Sequence, residues 1–334
     1  MAKSSVKERV LHILHEHRGT YYSGQELAEE LQVSRTAVWK AINQLREAGY
    51  NISGSTKLGY TMDAATDILS DDAIMNGLSE DAKSFYRLQC LKSIDSTNNA
   101  VREQGVQGAA EGLCMVAEEQ TAGRGRKGRS FYSPDATGLY LSILLRPNLS
   151  IQGATLITTA AAVAGAKACE AANSTLSSGD VQIKWVNDLF LNEKKISGIL
   201  TEAFLSMETG ALDYAIMGIG FNLCPPKGGW PEAISRVAGS LFHEECPSGI
   251  RNLLAATFMN EFYRIYDQLP DVGYMKEYRQ RQLALGKEVS LLSADGTSVQ
   301  AKVIDVDDRG QLVVQLAASS EMTTINSGEI SIRV

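Results

Sequence analysis

The spacing of apolar residues changes character twice along this 334-residue chain, and each change restricts what the segment can fold into. Up to about residue 65 the spacing is helical. Val10, Leu11, Ile13 and Leu14 give a first helix one apolar side, which Gly19 ends. Ser23-Gly24-Gln25-Glu26 reads as a capping box for a second helix that turns Leu27, Ala28 and Leu31 inward. The short turn Gln32-Val33-Ser34 leads into a third helix, from Arg35 to about Glu47, with Val38, Ile42 and Leu45 at core spacing. Its other side offers Arg35, Thr36, Trp39, Lys40 and Asn43. Two helices joined so tightly, the second with polar reach, make a helix-turn-helix. Tyr50 to Ser53 and Gly59 to Met62 alternate around Gly54-Ser55-Thr56-Lys57 and predict a two-stranded wing. Ser34, Arg35, Thr36, Trp39, Lys40, Asn43 and Lys57 are the residues placed to meet DNA; a small helical interaction module is the alternative. Eight basic and seven acidic side chains fall within residues 1–65, so a monomer should bind DNA weakly and dimerisation would be needed.

Residues 66–283 follow another pattern. Continuous apolar runs, Leu139 to Leu145 and Tyr214 to Ile219, predict buried strands alternating with helices around Ser96 to Gln104, Ala154 to Ala172 and Leu253 to Gln268. That alternation implies a mixed α/β domain with a central sheet. From Gly286 onward short alternating strands take over: Glu288 to Leu292, Val299 to Asp305, Gln311 to Leu316 and Thr323 to Asn326. Asp295-Gly296 and Asp308-Arg309-Gly310 punctuate them as turns, and a small β-barrel is expected. The fold class is therefore α+β and multidomain, with domains at 1–65, 66–283 and 284–334.

A net charge of −7 argues against a general polyanion binder, so any nucleic-acid contact must be local. The five cysteines, Cys90, Cys114, Cys169, Cys224 and Cys246, include no CxxC pair and read as free thiols in a reducing compartment, the cytoplasm. Met1-Ala2-Lys3-Ser4-Ser5 enters a polar helix rather than an apolar signal core. Ala154 to Ala172 is shorter than a membrane span and interrupted by Lys167, which predicts a buried helix and no membrane partner. His12, His15 and His17 share the first helix at a spacing that makes no metal site.

The densest chemistry lies in Gln120-Thr121-Ala122-Gly123-Arg124-Gly125-Arg126-Lys127-Gly128-Arg129. Glycines let main-chain N–H groups approach an anion, while the arginines and Lys127 supply charge-assisted hydrogen bonds to phosphate or carboxylate oxygens. The run is neither a P-loop nor a dinucleotide fingerprint. A solvated basic turn or a nucleic-acid patch would have the same composition.

Further motifs accompany it in order: Ser96-Thr97-Asn98, Lys184-Trp185-Val186-Asn187-Asp188-Leu189, Lys195-Ile196-Ser197-Gly198-Ile199-Leu200, Gly218-Ile219-Gly220-Phe221-Asn222 and Gly328-Glu329-Ile330-Ser331. In this order and spacing the set resembles biotin protein ligases. With the N-terminal winged helix, the whole chain resembles their bifunctional bacterial type, which also represses biotin-synthesis genes. The resemblance implies a catalytic domain of the biotin/lipoate ligase type and an SH3-like C-terminal barrel. It also implies a two-step reaction: biotin and ATP give biotinyl-5′-AMP and pyrophosphate, then the biotinyl group passes to a lysine of a biotin carboxyl carrier protein.

Carried over residue by residue, the resemblance places Ser96, Thr97, Asn98, Gln120 and Gly125 around biotin. Arg124 and Arg126 would fold over biotin and the adenylate, offsetting the repulsion between two anions. Lys184 would stand between the biotin carboxylate and the α-phosphate; these three form the expected catalytic set. Arg126, Arg129, Phe131, Asn187 and Asn222 would hold ATP or the adenylate. Mg2+ follows from ATP and the family rather than from a ligand cluster. Taken alone, Ser96-Thr97-Asn98 also fits a helix N-cap and Asn222 a turn residue after Gly220, while Asp188 could orient Lys184 or the incoming amine. Two positions depart from the family pattern. Val186 stands where proline is common, and Phe131 where tryptophan is common, keeping a stacking surface without the indole N–H.

The resemblance further implies a homodimer promoted by biotinyl-5′-AMP that sets two winged helices on a two-fold-related operator DNA. A biotin-sensing transcription factor without catalysis and a lipoate ligase are the alternatives. The intact glycine-arginine loop with Lys184 argues against the first, and the same loop with the winged helix against the second.

Overall fold

The computed structural model describes residues 5–47, 50, 52–55, 57–62, 69–150, 153–206, 212–292, 298–326 and 329–332. Residues 1–4, Thr56, the expected boundary at residue 65, the Asp295-Gly296 turn and Gly328 lie outside the described residues, as does the side chain of His15. The chain divides into two compact units, residues 1–73 with 247–252 and residues 74–246 with 253–334.

In the first unit, α1 (Val6–Glu16), α2 (Gly24–Leu31) and α3 (Arg35–Glu47) precede a hairpin of β1 (Ile52–Ser55) and β2 (Gly59–Met62). The first two helices each open with a reciprocal capping box, Ser5 with Glu8 and Ser23 with Glu26. Gln32, left-handed at φ 54°, closes α2, and Ser34 Oγ accepts from Ala37 N at 3.2 Å where α3 begins. Val10, Leu14, Leu27, Val38, Ile42, Leu45 and Met62 are fully buried between helices and hairpin. This is a winged helix-turn-helix. Its first strand is Ile52–Ser55 rather than Tyr50–Ser53, because Ile52 pairs with Met62 and Ser55 with Gly59. The bridge between Tyr22 and Tyr60 ties the hairpin to the start of α2 and holds that register.

α4 (Asp71–Asn76) crosses the division between the units; in the second, α5 (Glu80–Phe85) leads into β3 (Arg87–Ile94), α6 (Thr97–Val106), β4 (Leu113–Gln120), β5 (Gly138–Leu145), α7 (Ala154–Ala172), β6 (Gln182–Lys184), β7 (Asp188–Leu191), β8 (Lys194–Leu205) and β9 (Leu212–Asn222). The seven strands form one sheet in the order β3-β4-β5-β9-β8-β7-β6. β3 and β4 run parallel, joined across α6, and the other neighbours are antiparallel. β5, apolar but for Ser142, is buried along its whole length. The alanine-rich α7 is buried as its composition predicts: Ala160, Ala161, Ala164 and Ala168 have no exposed surface. Small side chains let it lie close to the sheet, where any Cβ at Gly165 would come 3.0 Å from Leu189. Among the described residues no helix is long and apolar enough to cross a membrane.

After α8 (Ile250–Tyr266) and α9 (Met275–Gln280), β10 (Glu288–Leu292), β11 (Ser298–Val306), β12 (Leu312–Leu316), β13 (Met322–Ile325) and β14 (Glu329–Ile332) form a small antiparallel SH3-like sheet in the order β13-β12-β11-β10-β14. Val289, Val303, Val306, Leu312 and Val314 fill its core. β14 was absent from the sequence expectation; it pairs Leu291 with Ile330 and closes the sheet beside β10.

The cysteine reading needs correction. Cys90, Cys114 and Cys169 are outside any disulfide, but Cys224 and Cys246 form one, with Cα atoms 5.6 Å apart. The segment between them folds back on the sheet, with Gly239 N donating to Lys195 O at 2.9 Å and Leu241 N to Asn222 O at 2.9 Å. That return brings together two cysteines 22 residues apart, a proximity their spacing does not encode.

Candidate active site

The glycine-arginine run leaves β4 and turns back on itself as a hairpin. Gln120 N donates to Ser133 O at 3.0 Å, Phe131 N to Gly123 O at 2.9 Å and Gly125 N to Arg129 O at 2.7 Å, around a 3-10 turn at Arg126–Gly128. This geometry sends Arg124, Arg126 and Arg129 toward one cavity of about 190 Å³, which they line with Gly125, Phe131, Lys184, Asn187, Asp188 and Lys195. Four basic side chains of the sequence expectation and the unanticipated Lys195 thus face a common space. Arg126 Nη1 donates to Asn187 Oδ1 at 3.0 Å, and Asn187 Nδ2 donates to Ile199 O at 2.8 Å. Asp188 pairs with Lys195, with 2.7 Å between Oδ1 and Nζ, so the acidic residue beside Lys184 is partnered by a different lysine.

Lys184 ends β6, a three-residue strand at the edge of the sheet. So short a strand needs support from outside the sheet. Ile183 N donates to Arg281 O at 2.7 Å and Leu283 N to Ile183 O at 2.9 Å. Trp185, 4% exposed, donates from Nε1 to Gly310 O at 2.9 Å, and Tyr278 Oη donates to Val186 O at 3.0 Å. Burial holds the Tyr278 phenol well above its usual range, so it remains a donor. The peptide between Trp185 and Val186 is cis. Lys184 Nζ lies 5.7 Å from the centre of the Phe190 ring.

A narrower cleft adjoins this cavity and shares Arg124, Phe131, Gly198 and Leu200 with it; Ser96, Thr97, Asn98, Gln120, Gly218 and Gly220 complete its wall. Ser96 both lines the cleft and accepts from Asn99 N at 3.5 Å as the cap of α6. Thr97 N donates to Gln120 Oε1 at 2.9 Å, and Thr97 Oγ1 lies 3.0 Å from the same oxygen. Two glycines of β9 make the cleft possible. A Cβ at Gly218 would fall 1.9 Å from Asn98 Oδ1, and one at Gly220 would fall 2.6 Å from Phe131 Cε1. Phe131 therefore rests on the glycine floor at the border of the two cavities.

Asn222 lines neither cavity. Its Nδ2 donates to Gly239 O at 3.0 Å and Lys195 O at 3.4 Å, binding the disulfide-closed segment to the strand that carries Lys195. Sequence reasoning passed over Lys195 as anything more than a motif member, and over Glu202 entirely. Glu202 Oε1 accepts from Arg124 Nη1 at 3.0 Å; its signal was available only as the one acidic residue of β8.

In the first unit, a groove of about 800 Å³ is lined by Arg35, Thr36, Trp39 and Lys57 together with Arg46, Ser55 and Tyr60. Trp39 is 54% exposed on α3. Lys40 is exposed outside the groove lining, Asn43 is half-buried, and Ser34 caps the helix. Arg46, which sequence reasoning left out, donates from Nε to Ile52 O at 2.8 Å and lies 5.9 Å over the Tyr60 ring, fixing the wing against α3.

Comparison with known proteins agrees with both units. Residues 90–222 match the biotin/lipoate A/B protein ligase family, residues 6–61 an HTH domain and residues 284–333 the biotin protein ligase C-terminal domain. The bifunctional ligase/repressor BirA of Bacillus spizizenii is 29% identical over 94% of this chain and 95% of its own length. The biotin–[acetyl-CoA-carboxylase] ligase of Paracoccus denitrificans is 30% identical over 70% of this chain and 95% of its own. The structure of Aquifex aeolicus biotin protein ligase in complex with biotin and ATP superposes with a TM-score of 0.58 at 27% identity, covering 75% of this chain and 99% of that one. With a family model matched over residues 90–222 and a relative 30% identical over 70% of this chain and 95% of its own length, the chain belongs to the biotin protein ligases of the biotin/lipoate A/B protein ligase family.

Proposed function

We propose that this chain condenses biotin with ATP to biotinyl-5′-AMP, transfers the biotinyl group to a lysine of a biotin carboxyl carrier protein, and represses transcription through its N-terminal unit with the adenylate as corepressor. The observation that carries the reading is the pairing of a cation-lined cavity with a polar cleft that shares Arg124 and Phe131 with it. The cleft suits the ureido head of biotin, which presents donors and an acceptor to Ser96, Thr97, Asn98 and Gln120. The larger cavity suits the phosphates, met by Arg126, Arg129 and Lys184, with Phe131 and Asn187 toward the nucleotide.

A biotin carboxylate oxygen attacks the α-phosphorus and pyrophosphate leaves. Arg124, Arg126 and Lys184 lower the cost of bringing two anions together and stabilise the charge that accumulates as the bond forms. The carrier lysine then attacks the acyl carbon and AMP departs, so no enzyme nucleophile is required. Among the described residues no group of three or more His, Cys, Asp or Glu side chains could hold a metal. Mg2+ carried by the ATP phosphates would be held chiefly by those phosphates, with Asp188, paired here with Lys195, as the carboxylate of the cavity lining that could meet it. When bound, it supplies further neutralisation of phosphate charge.

The reading includes three domains divided near residues 65 and 283, residence in the cytoplasm and an adenylate-promoted homodimer that presents two α3 helices to operator DNA. Incubation with labelled biotin, ATP and a biotin carboxyl carrier domain tests the enzymatic part. Labelling that requires ATP is expected; labelled biotin bound without transfer would favour a non-catalytic sensor, and lipoate transfer in its place would favour a lipoate ligase.

A further inference from the structure

Glu202 lies on β8 beyond the motif that ends at Leu200, with its side chain 19% exposed and both carboxylate oxygens engaged. Oε1 accepts from Arg124 Nη1 at 3.0 Å and stands 3.9 Å from Arg102 Nη1, while Oε2 accepts from Asn98 Nδ2 at 2.9 Å. From Asn98 the contacts continue along the cleft. Asn98 Oδ1 accepts from Ser142 Oγ at 2.6 Å, and Ser142 Oγ is 2.7 Å from Thr97 Oγ1. Thr97 N donates to Gln120 Oε1 at 2.9 Å, Gln120 Nε2 to Ser133 Oγ at 3.1 Å, and Ser133 Oγ to Phe131 O at 3.0 Å. The two ends of this path, Arg124 and Phe131, belong to the same hairpin, and its middle is the polar wall of the cleft.

A carboxylate has no proton to give, so Asn98 can meet Glu202 only with its Nδ2, which turns Oδ1 toward Ser142. Ser142 then gives its one proton to Asn98 Oδ1, so the proton of its 2.7 Å contact with Thr97 comes from Thr97 Oγ1, while Gln120 is oriented by the Thr97 N–H. We propose that Glu202 is a positioning residue for biotin: it seats Arg124 at the mouth of the cleft and, through Asn98, fixes which groups of the wall donate and which accept toward the ureido head. This rests on the biotin–ATP reading above. A wall with its polarity scrambled leaves a buried partner unpaired, and sites that recognise a substrate by hydrogen bonds lose much of their affinity when that happens.

The test compares Glu202→Gln, Glu202→Asp and Ser142→Ala in the full chain by steady-state pyrophosphate release, with biotin and ATP varied separately. Glu202→Gln preserves shape but can donate as well as accept. It is expected to raise the KM for biotin about 10-fold, with the KM for ATP changed less than about twofold and the melting temperature unmoved. Glu202→Asp, which stays acceptor-only, is expected to fall between Glu202→Gln and the unaltered chain. Ser142→Ala removes the group that Asn98 Oδ1 faces and is expected to raise the biotin KM alone, testing the same path without changing charge. Combining Glu202→Gln with Arg124→Ala is expected to cost less than the product of the two single effects, because the residues share a contact. An unchanged biotin KM in Glu202→Gln and Ser142→Ala overturns the proposal, as does a parallel rise in both KM values. Absence of biotin-dependent pyrophosphate release by the unaltered chain would instead overturn the ligase reading itself.

Discussion

Trp185 Nε1 donates to the carbonyl oxygen of Gly310 at 2.9 Å, which joins the residue beside Lys184 to a turn of the C-terminal sheet. Trp185→Phe keeps most of the buried ring but leaves the Gly310 carbonyl without its donor, at a cost of about 1–3 kcal/mol. Chemical denaturation should register that loss. Adenylate formation at saturating substrates should slow as well, since Lys184 stands next in the chain; a variant with lowered stability and an unchanged rate would show that the brace serves folding alone.

Lys184→Ala and Arg126→Ala are expected to slow adenylate formation by about 10²- to 10³-fold each, the range for removing one preorganised group that stabilises developing charge. Biotin-dependent pyrophosphate release measures it directly. Normal release and carrier labelling by both variants would count against the assigned roles.

Gly220→Ala introduces a methyl group where only 2.6 Å separates it from Phe131 Cε1. The ring must move off the floor of the cleft. The expected result is a raised KM for both biotin and ATP, because Phe131 borders both cavities; equal KM values in variant and unaltered chain would show that the ring has no part in either.

Operator affinity is expected to rise when biotin and ATP are both present, read by electrophoretic mobility shift. Lys57→Ala, on the wing, should weaken binding evenly across sequences and lower the salt slope by about 1, whereas Trp39→Ala, on α3, should change sequence preference. A shift insensitive to either ligand would remove the link between the two units.

Glu261 offers a pH test of stability. Burial pushes its carboxyl up, but Lys167 and Arg264, at 2.7 and 2.8 Å, outweigh that and hold it below its ordinary value of 4.5. Because the folded value is depressed, the stabilisation is complete above the unfolded value and disappears as pH falls through the folded one. The stability difference between the unaltered chain and Glu261→Gln should therefore be constant near neutrality and shrink below pH ~4.5. A difference that persists at lower pH would locate the effect in packing.

The winged helix was legible because capping boxes and helical spacing are local signals, and Ser23 with Glu26 forms the predicted exchange. β5 and α7 were legible for the same reason, through uninterrupted burial. The short strands β6 and β7 were not, since three or four residues carry no periodicity and depend on Arg281, Trp185 and Tyr278 for support. In the candidate site, charge and glycine content pointed to Arg124 and Arg126, and the family resemblance to Lys184; the fold gathers all three around the two cavities. Lys195 and Glu202 escaped notice because each acquires its meaning from a partner on another strand or loop. Asn222 showed the reverse: a residue chosen by motif position is occupied with Gly239 and Lys195.

Backbone pairing in the glycine-arginine hairpin runs inward from Gln120 and Ser133 as far as Gly125 and Arg129. Arg126, Lys127 and Gly128 form its apex, closed by a bond from Arg129 N to Arg126 O at 3.2 Å. The Arg126 side chain is held by Asn187, whereas that of Arg124 is held by Glu202 on β8. The two arginines, only a residue apart in the chain, thus reach the cavity from separate anchors, and a change at one anchor leaves the other in place.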